Sequence, residues 1–309
     1  MAYQTGALPI PAAAIEEAIR LNGTAVDTNL DAFRWGRLIV ANRARVDAVL
    51  DPARPAAASA EVRLSPEARE LVNRVGEHAD LRRVLEVHVP ELIAYQDARH
   101  ASRYVDQVVA VQQAERRVAG EAADLTLAVA RNLYKLMAPK DEYEVARLLL
   151  DPAEQARLVR AFGPGARVTW HLHPTFLRRL GRTKKIALGG WFRPALHVLR
   201  WAKWMRGTAL DVFGRTTLRR VERALTAHYE ALVRSMVDRV TADNHRELVA
   251  LAGLPDLVRG YEDVKIASVH QYVAEVQRQA AALGIEPTFA GLPMPPEPAS
   301  ASAAWKRAA

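Results

Sequence analysis

The sequence contains no cysteine. That absence removes disulfides, thiolate zinc sites, Cys-ligated iron–sulfur clusters and a cysteine nucleophile from the chemistry the chain can supply. Long apolar runs are missing too: none approaches the roughly 18 consecutive residues a membrane helix needs. The first residues, MAYQTGALPIP, lack a basic stretch followed by an apolar one, so no secretory signal is expected. A cytoplasmic location, away from membranes, follows as the expectation. Neither GxGxxG nor a GxxxxGK loop followed by Ser or Thr occurs, and a GDG-type diphosphate and magnesium motif is lacking. Gly163-Pro164-Gly165 reads as a turn, because Pro164 removes an N–H that a phosphate cradle would use.

What is present is an ordinary globular balance over 309 residues, 50% hydrophobic and 25% charged, with chain enough for one or two domains. The net charge of +8 is unevenly placed. Between Gly163 and Arg223 there are fourteen Lys/Arg and two acids, Asp211 and Glu222, so this segment carries +12 and the remainder −4. A local cationic surface of this kind implies an acidic partner, a phosphate group or an acidic neighbouring domain.

The periodicity predicts a mainly α fold, an irregular multi-helix bundle with one small β-hairpin inserted near 167–188. Pro11 and the Asn22-Gly23 pair bound a first helix over 11–22, and Asp27 or Thr28 caps a second reaching Val46. DPARPAAASAEVRLSP (51–66) reads as a linker, and Ser65-Pro66-Glu67 starts the next helix. A long helical pattern follows Pro90 and ends at Gly120. Another helix carries Leu125, Val129, Leu133 and Leu136 on one stripe up to Pro139, after which Asp141 and Asp151-Pro152 open two short helices. Val168, Trp170 and Leu172 alternate with Thr169, His171 and His173 in a first strand, and KKIAL (184–188) supplies a second. Helices are expected from Arg215 to Val240 and across 260–283, followed by a disordered Pro/Ala/Ser-rich tail over 284–309.

Each candidate for chemistry competes with a structural explanation. His171 and His173 share one face of the expected strand and are the weak candidates for a metal site, but no carboxylate or third His lies close in sequence. Asp97 and His100, one helical turn apart near Tyr95 and Tyr104, read as a structural pair rather than an acid/base couple. The run Lys140-Asp141-Glu142-Tyr143-Glu144 is what a helix start with acids opposing the macrodipole looks like. From Trp191 to Arg206, Arg193, His197, Arg200 and Lys203 share one helical side beside Trp201 and Trp204. Membrane-surface helices and single-strand nucleic-acid binders share that pattern, but a helix packing its aromatics into a core with basic heads in solvent is favoured. Arg178, Arg179, Arg182, Lys184 and Lys185, five cations in eight residues of the hairpin loop, are the partner- or phosphate-binding candidates.

Several phrases together resemble a known family. TGALPIPAAAIEEAIRLNGTAVDTNLDAFRWGR (5–37) resembles the end of the γ-type domain of the large fused bacterial indolepyruvate ferredoxin oxidoreductases. YQDARHASRYVDQV (95–108), LAVARNLYKLMAPKDEYEVARLLLDP (127–152), RGTALDVFGRTTLRRVERAL (206–225) and LPDLVRGYEDVKIA (254–267) resemble the C-terminal domain of those enzymes, a domain without a settled role. Such enzymes decarboxylate an aryl 2-oxo acid on thiamine diphosphate and pass electrons through iron–sulfur clusters to ferredoxin, forming an acyl-CoA. The resemblance implies that both cofactors sit on upstream domains or a separate subunit, with none on this chain, and that no catalytic residue transfers to a position here. It implies a γ-type remnant over 1–50, the linker 51–66, and a helical domain over 67–283 acting as a non-catalytic accessory domain. Its partners would be those upstream domains and, through the basic hairpin, ferredoxin. A nucleic-acid-binding helical module and an orphaned fragment without activity are the alternatives; in the latter, Ile15, Ile19, Phe33 and Trp35 would form an exposed apolar face.

Overall fold

The computed structural model describes Tyr3 and residues 10–23, 25–50, 64–76, 78–163, 165, 167–172, 186–260, 262–287, 289 and 291–296. Among them are thirteen α-helices and one two-stranded antiparallel ribbon, so the fold is mainly α. No helix among the described residues is long and apolar enough to cross a membrane. The chain divides into two compact units, Met1–Glu61 and Val62–Ala309, at a boundary inside the stretch read as linker.

The first unit holds α1 (Ala12–Asn22), α2 (Val26–Ala41) and α3 (Arg43–Leu50). Gly23 ends α1 with φ +70°, a left-handed conformation that suits glycine. The expected single helix from Asp27 to Val46 is interrupted at Asn42, whose side chain accepts the N–H of Arg45 at 3.0 Å and starts α3. Leu30 and Val46 are buried, and Tyr3 meets Phe33 with ring centroids 5.8 Å apart under the Arg37 guanidinium. Ile15, Ile19 and Phe33 are half-buried, whereas Trp35 and Leu21 are exposed.

The second unit is built on α4 (Pro66–Asn73), α5 (Ala79–Tyr95), α6 (Ala98–Ala119), α7 (Asp124–Met137), α8 (Glu142–Leu149) and α9 (Pro152–Phe162). Then come β1 (Trp170–Leu172), β2 (Ile186–Leu188), α10 (Arg193–Trp201), α11 (Thr217–Arg239), α12 (His245–Gly253) and α13 (Glu262–Ala282). The main core joins α4–α7 to α11–α13 through residues such as Leu85, Tyr104, Leu133, Tyr229 and Tyr272. A helix beginning after Pro90 is corrected here: α5 starts at Ala79 and passes through Pro90. Leu81, Leu85, Val89 and Leu92 are buried on both sides of it, so tertiary packing holds the turn that proline weakens. The real break is at Gln96, where Asp97 accepts the N–H of His100 at 2.8 Å and starts α6. The strands are shorter than expected, pairing Trp170 with Leu188 and Leu172 with Ile186. Trp170, Leu196, Ala146 and Leu150 form a separate small core that joins the ribbon, α10 and α8. The tail reading is corrected as well. Ile285 is buried, Phe289, Leu292 and Met294 pack on the main core, Phe289 stacks on His228, and the His270 ring bonds Pro295 O; residues 297–309 lie outside the described set.

Two polar groups, the buried Glu115 and the half-buried His88, tie helices together at the main core. Ala123 gives α7 no side-chain cap, so Glu115 of α6 does the work: its carboxylate accepts the N–H groups of Leu125 and Thr126, each at 2.9 Å, and the Thr126 hydroxyl at 2.6 Å. His245 Nε2 lies 2.6 Å from the same carboxylate. His88 stacks on Tyr134 and bonds the Tyr104 hydroxyl through Nδ1 at 2.9 Å. Because that hydroxyl donates to Ala130 O, Nδ1 carries the proton.

Glu115→Ala should strip four donors of a fully buried acceptor and lower unfolding free energy by about 2–4 kcal/mol in urea titrations. A second expectation concerns acid. Burial first, and the Arg131 charge second, depress His88 from 6.5 to about 4. Above 6.5 the imidazole is neutral folded or unfolded. As pH falls from 6.5 towards 4, the unfolded chain takes up a proton that the folded one refuses. Stability then drops by at most about 1.4 kcal/mol per pH unit. Urea midpoints across that window should fall more steeply for the parent than for His88→Phe.

Candidate functional site

The four phrases of the second unit meet at one polar junction. The α5–α6 corner brings Tyr95 and Gln96, the α7–α8 corner brings Pro139 to Tyr143, the loop before α11 brings Arg206 to Gly214, and α11 brings Arg219, Glu222 and Arg223. Lys265 of α13 closes the set against Glu222.

Arg206 is its centre. Nε and Nη2 meet the two oxygens of Asp141 at 2.5 and 2.9 Å, a bidentate fork. Nη1 donates to Tyr95 O at 2.5 Å and Gln96 Oε1 at 2.8 Å. The guanidinium lies 3.7 Å from the Tyr95 ring centroid, in cation–π contact. Both charges are nearly enclosed, with side chains 12% and 8% exposed. Burial works against the Arg206 cation, and the Asp141 bond and the surrounding charges outweigh it, so its pKa is raised. Asp141 simultaneously caps α8 by accepting the N–H of Glu144 at 2.8 Å, which is the role the acidic run predicts. Burial, then Asp141, pushes the Tyr95 hydroxyl up, so it stays protonated.

The loop from Arg206 to Thr216 is folded around Asp211. Its carboxylate accepts the N–H groups of Gly207 at 2.9 Å and Gly214 at 2.8 Å and the Tyr143 hydroxyl at 3.2 Å. Gly207 sits at φ +76°. At Gly214 the constraint is steric: a Cβ there would stand 2.1 Å from Asp211 Oδ2. On α11, Arg219 reaches Glu222 at 2.7 Å and Glu142 at 3.4 Å, and Lys265 donates to Glu222 at 2.5 Å. Lys203 donates to Ala94 O at 2.8 Å and satisfies the C-terminal end of α5; burial, then Arg206, lowers its pKa.

Other candidates from the sequence fare differently. Asp97 caps α6 and its neighbour His100 uses Nε2 on Met137 O at 3.1 Å, so the two side chains form no acid/base couple. Arg178, Arg179, Arg182, Lys184, Lys185 and His173 lie outside the described residues, as does the side chain of His171. Among the described residues no three His, Asp or Glu side chains converge as a metal set requires. The favoured packing of the Trp191–Arg206 aromatics is corrected. Helix α10 buries Leu196, while Trp191, Trp201 and Trp204 are 74%, 70% and 49% exposed. Leu196, Leu199 and Phe192 are the side chains of this segment that pack into the small core between α8 and the ribbon.

Arg206→Ala should cost about 3–5 kcal/mol, because it strands a buried carboxylate. Arg206→Lys should cost less, because it keeps a cation opposite Asp141, but still destabilise, because an ammonium cannot span Asp141, Tyr95 O and Gln96 together. Gly214→Ala should cost about 1–3 kcal/mol by displacing Asp211. Gly253→Ala, where a Cβ meets nothing, should stay within about 1 kcal/mol of the parent in the same denaturation assay.

No curated protein and no solved structure matches the chain. The model of a family of unknown function, DUF6537, matches residues 81–278, a span that contains every member of the Arg206 junction, and the chain belongs to that family.

Proposed function

We propose that this chain is a non-catalytic interaction domain of a 2-oxoacid:ferredoxin oxidoreductase acting on aryl 2-oxo acids, and that it docks to an acidic partner. The observation that carries the docking is the outer surface of α10 and of the short turns that flank it. Trp191, Val198, Trp201 and Trp204 stand exposed beside Arg193 and Arg200, in a stretch without one acid between Gly163 and Leu210. Exposed tryptophans ringed by arginine are the composition of interface hot spots, and the cation excess selects an acidic counterpart. The five cations Arg178, Arg179, Arg182, Lys184 and Lys185 lie in the sequence between β1 and β2. The ribbon's Trp170 shares its small core with Leu196 of α10. The resemblance of the four phrases supports an acidic ferredoxin, or the polypeptide that carries thiamine diphosphate and the clusters, as the partner.

Co-expression of the full chain with such a polypeptide should give a complex that survives affinity purification and weakens with salt. Trp201→Ala with Trp204→Ala should weaken it by about 2 kcal/mol or more, roughly thirtyfold. Charge reversal at Arg178 and Arg179 should slow association. If the chain stays alone while the partner is intact, the reading fails. Single-stranded nucleic acid is the second reading that the Trp–Arg surface allows; a gel shift at low ionic strength that collapses as salt rises would favour it instead.

A further inference from the structure

Beside the Arg206 junction two cavities of about 250 and 300 Å³ adjoin, sharing Gly207 and Arg223. Arg215, Arg220 and Arg223 line the first, and their donors are largely uncommitted. Arg220 makes no ion pair with another described residue, and Arg215 donates to Ala209 O at 2.7 Å. Arg223 donates to Gly214 O at 2.6 Å and pairs with Asp211 Oδ2 at 3.8 Å. The single carboxylate in the wall, Asp211, is already engaged by the N–H groups of Gly207 and Gly214 and by the Tyr143 hydroxyl. Three guanidinium groups therefore face one recess against one carboxylate. The second cavity has Tyr95, Leu136, Met137 and Pro139 in its wall, and the charges beside them are already paired: Arg103 with Glu230, Arg206 with Asp141, and Glu222 with Arg219 and Lys265.

We propose that the paired cavities bind a small organic phosphate, its phosphate on Arg215, Arg220 and Arg223 and its apolar part along Tyr95, Met137 and Pro139. Guanidinium forks match phosphate oxygens two at a time, and all three of these line one recess. Arg220 and Arg223 are one turn apart on α11, and Arg215 precedes that helix, so the triad needs no rearrangement of the fold. Trp191 and Trp201 do not line either cavity, so the site is independent of the docking surface.

The test is calorimetric titration of the full chain, at fixed ionic strength, with inorganic phosphate, pyrophosphate and phenyl phosphate. Phenyl phosphate should bind at one site and more tightly than inorganic phosphate. Arg220→Ala should weaken it about tenfold, with melting unchanged because Arg220 supports no other group. Arg223→Ala should weaken it further, and Arg157→Ala with Arg160→Ala on α9 should leave it alone. An absence of binding by the parent overturns the proposal. So do equal losses on α9 and α11, unchanged binding by Arg220→Ala, or phenyl phosphate binding no tighter than inorganic phosphate.

Discussion

Arg206 and Asp141 hold three parts of the second unit in register, and most of what lies near them follows from the demands of that pair. A guanidinium removed from water needs every donor met, so the C-terminal end of α5 must present Tyr95 O and Gln96, and the Tyr95 ring must lie flat beneath the cation. A buried carboxylate needs its oxygens met, so α8 must begin where Asp141 can take the N–H of Glu144 as well as the fork. After Arg206 the loop runs to α11, and Asp211 fastens it at Gly207 and Gly214. Arg219 and Lys265 then neutralise Glu142 and Glu222, which that route brings inward.

Around this junction the unit separates two jobs. The large apolar core of α4–α7 and α11–α13 supplies stability through Leu, Val and Tyr packing and through Glu115. The small core of α8, α10 and the ribbon supplies little burial, and it leaves tryptophan and arginine outward. A surface of that composition is costly for a chain to carry alone, because it invites association. In the proposed docking it is the half of an interface whose other half is acidic.

The local parts of this architecture were legible and the junction was not. Ser65-Pro66, Asp141 and Asp151-Pro152 start helices in the structure as their sequences indicate, and Gly23 and Gly120 end them, because caps depend on neighbours within one turn. Asp141 shows the limit. Its capping role explains the acidic run fully, and so it hides the second role, which depends on an arginine 65 positions away. The Trp191–Arg206 segment misled for a related reason: helical spacing shows which side chains share a face but not whether the unit has a hole to receive them. Proline marked a helix boundary at Pro90 where buried leucines on either side kept the helix going. The carrying signal for the junction was present all the same, since the four phrases that stood out as a set are the four segments that meet there.

The distances along the chain at that junction have a kinetic meaning. Arg206 closes on partners 65 and 111 positions earlier, and Lys265 on one 43 positions earlier, while the helices themselves form from contacts one turn apart. Ordering such separated segments costs loop-closure entropy before any contact repays it. The helices form from local contacts, but the arginine-lined recess, like the contact of Glu115 with His245 130 positions on, exists only once distant segments have come together. A chain that has the recess has brought those segments together, and the recess is a mark of the assembled unit.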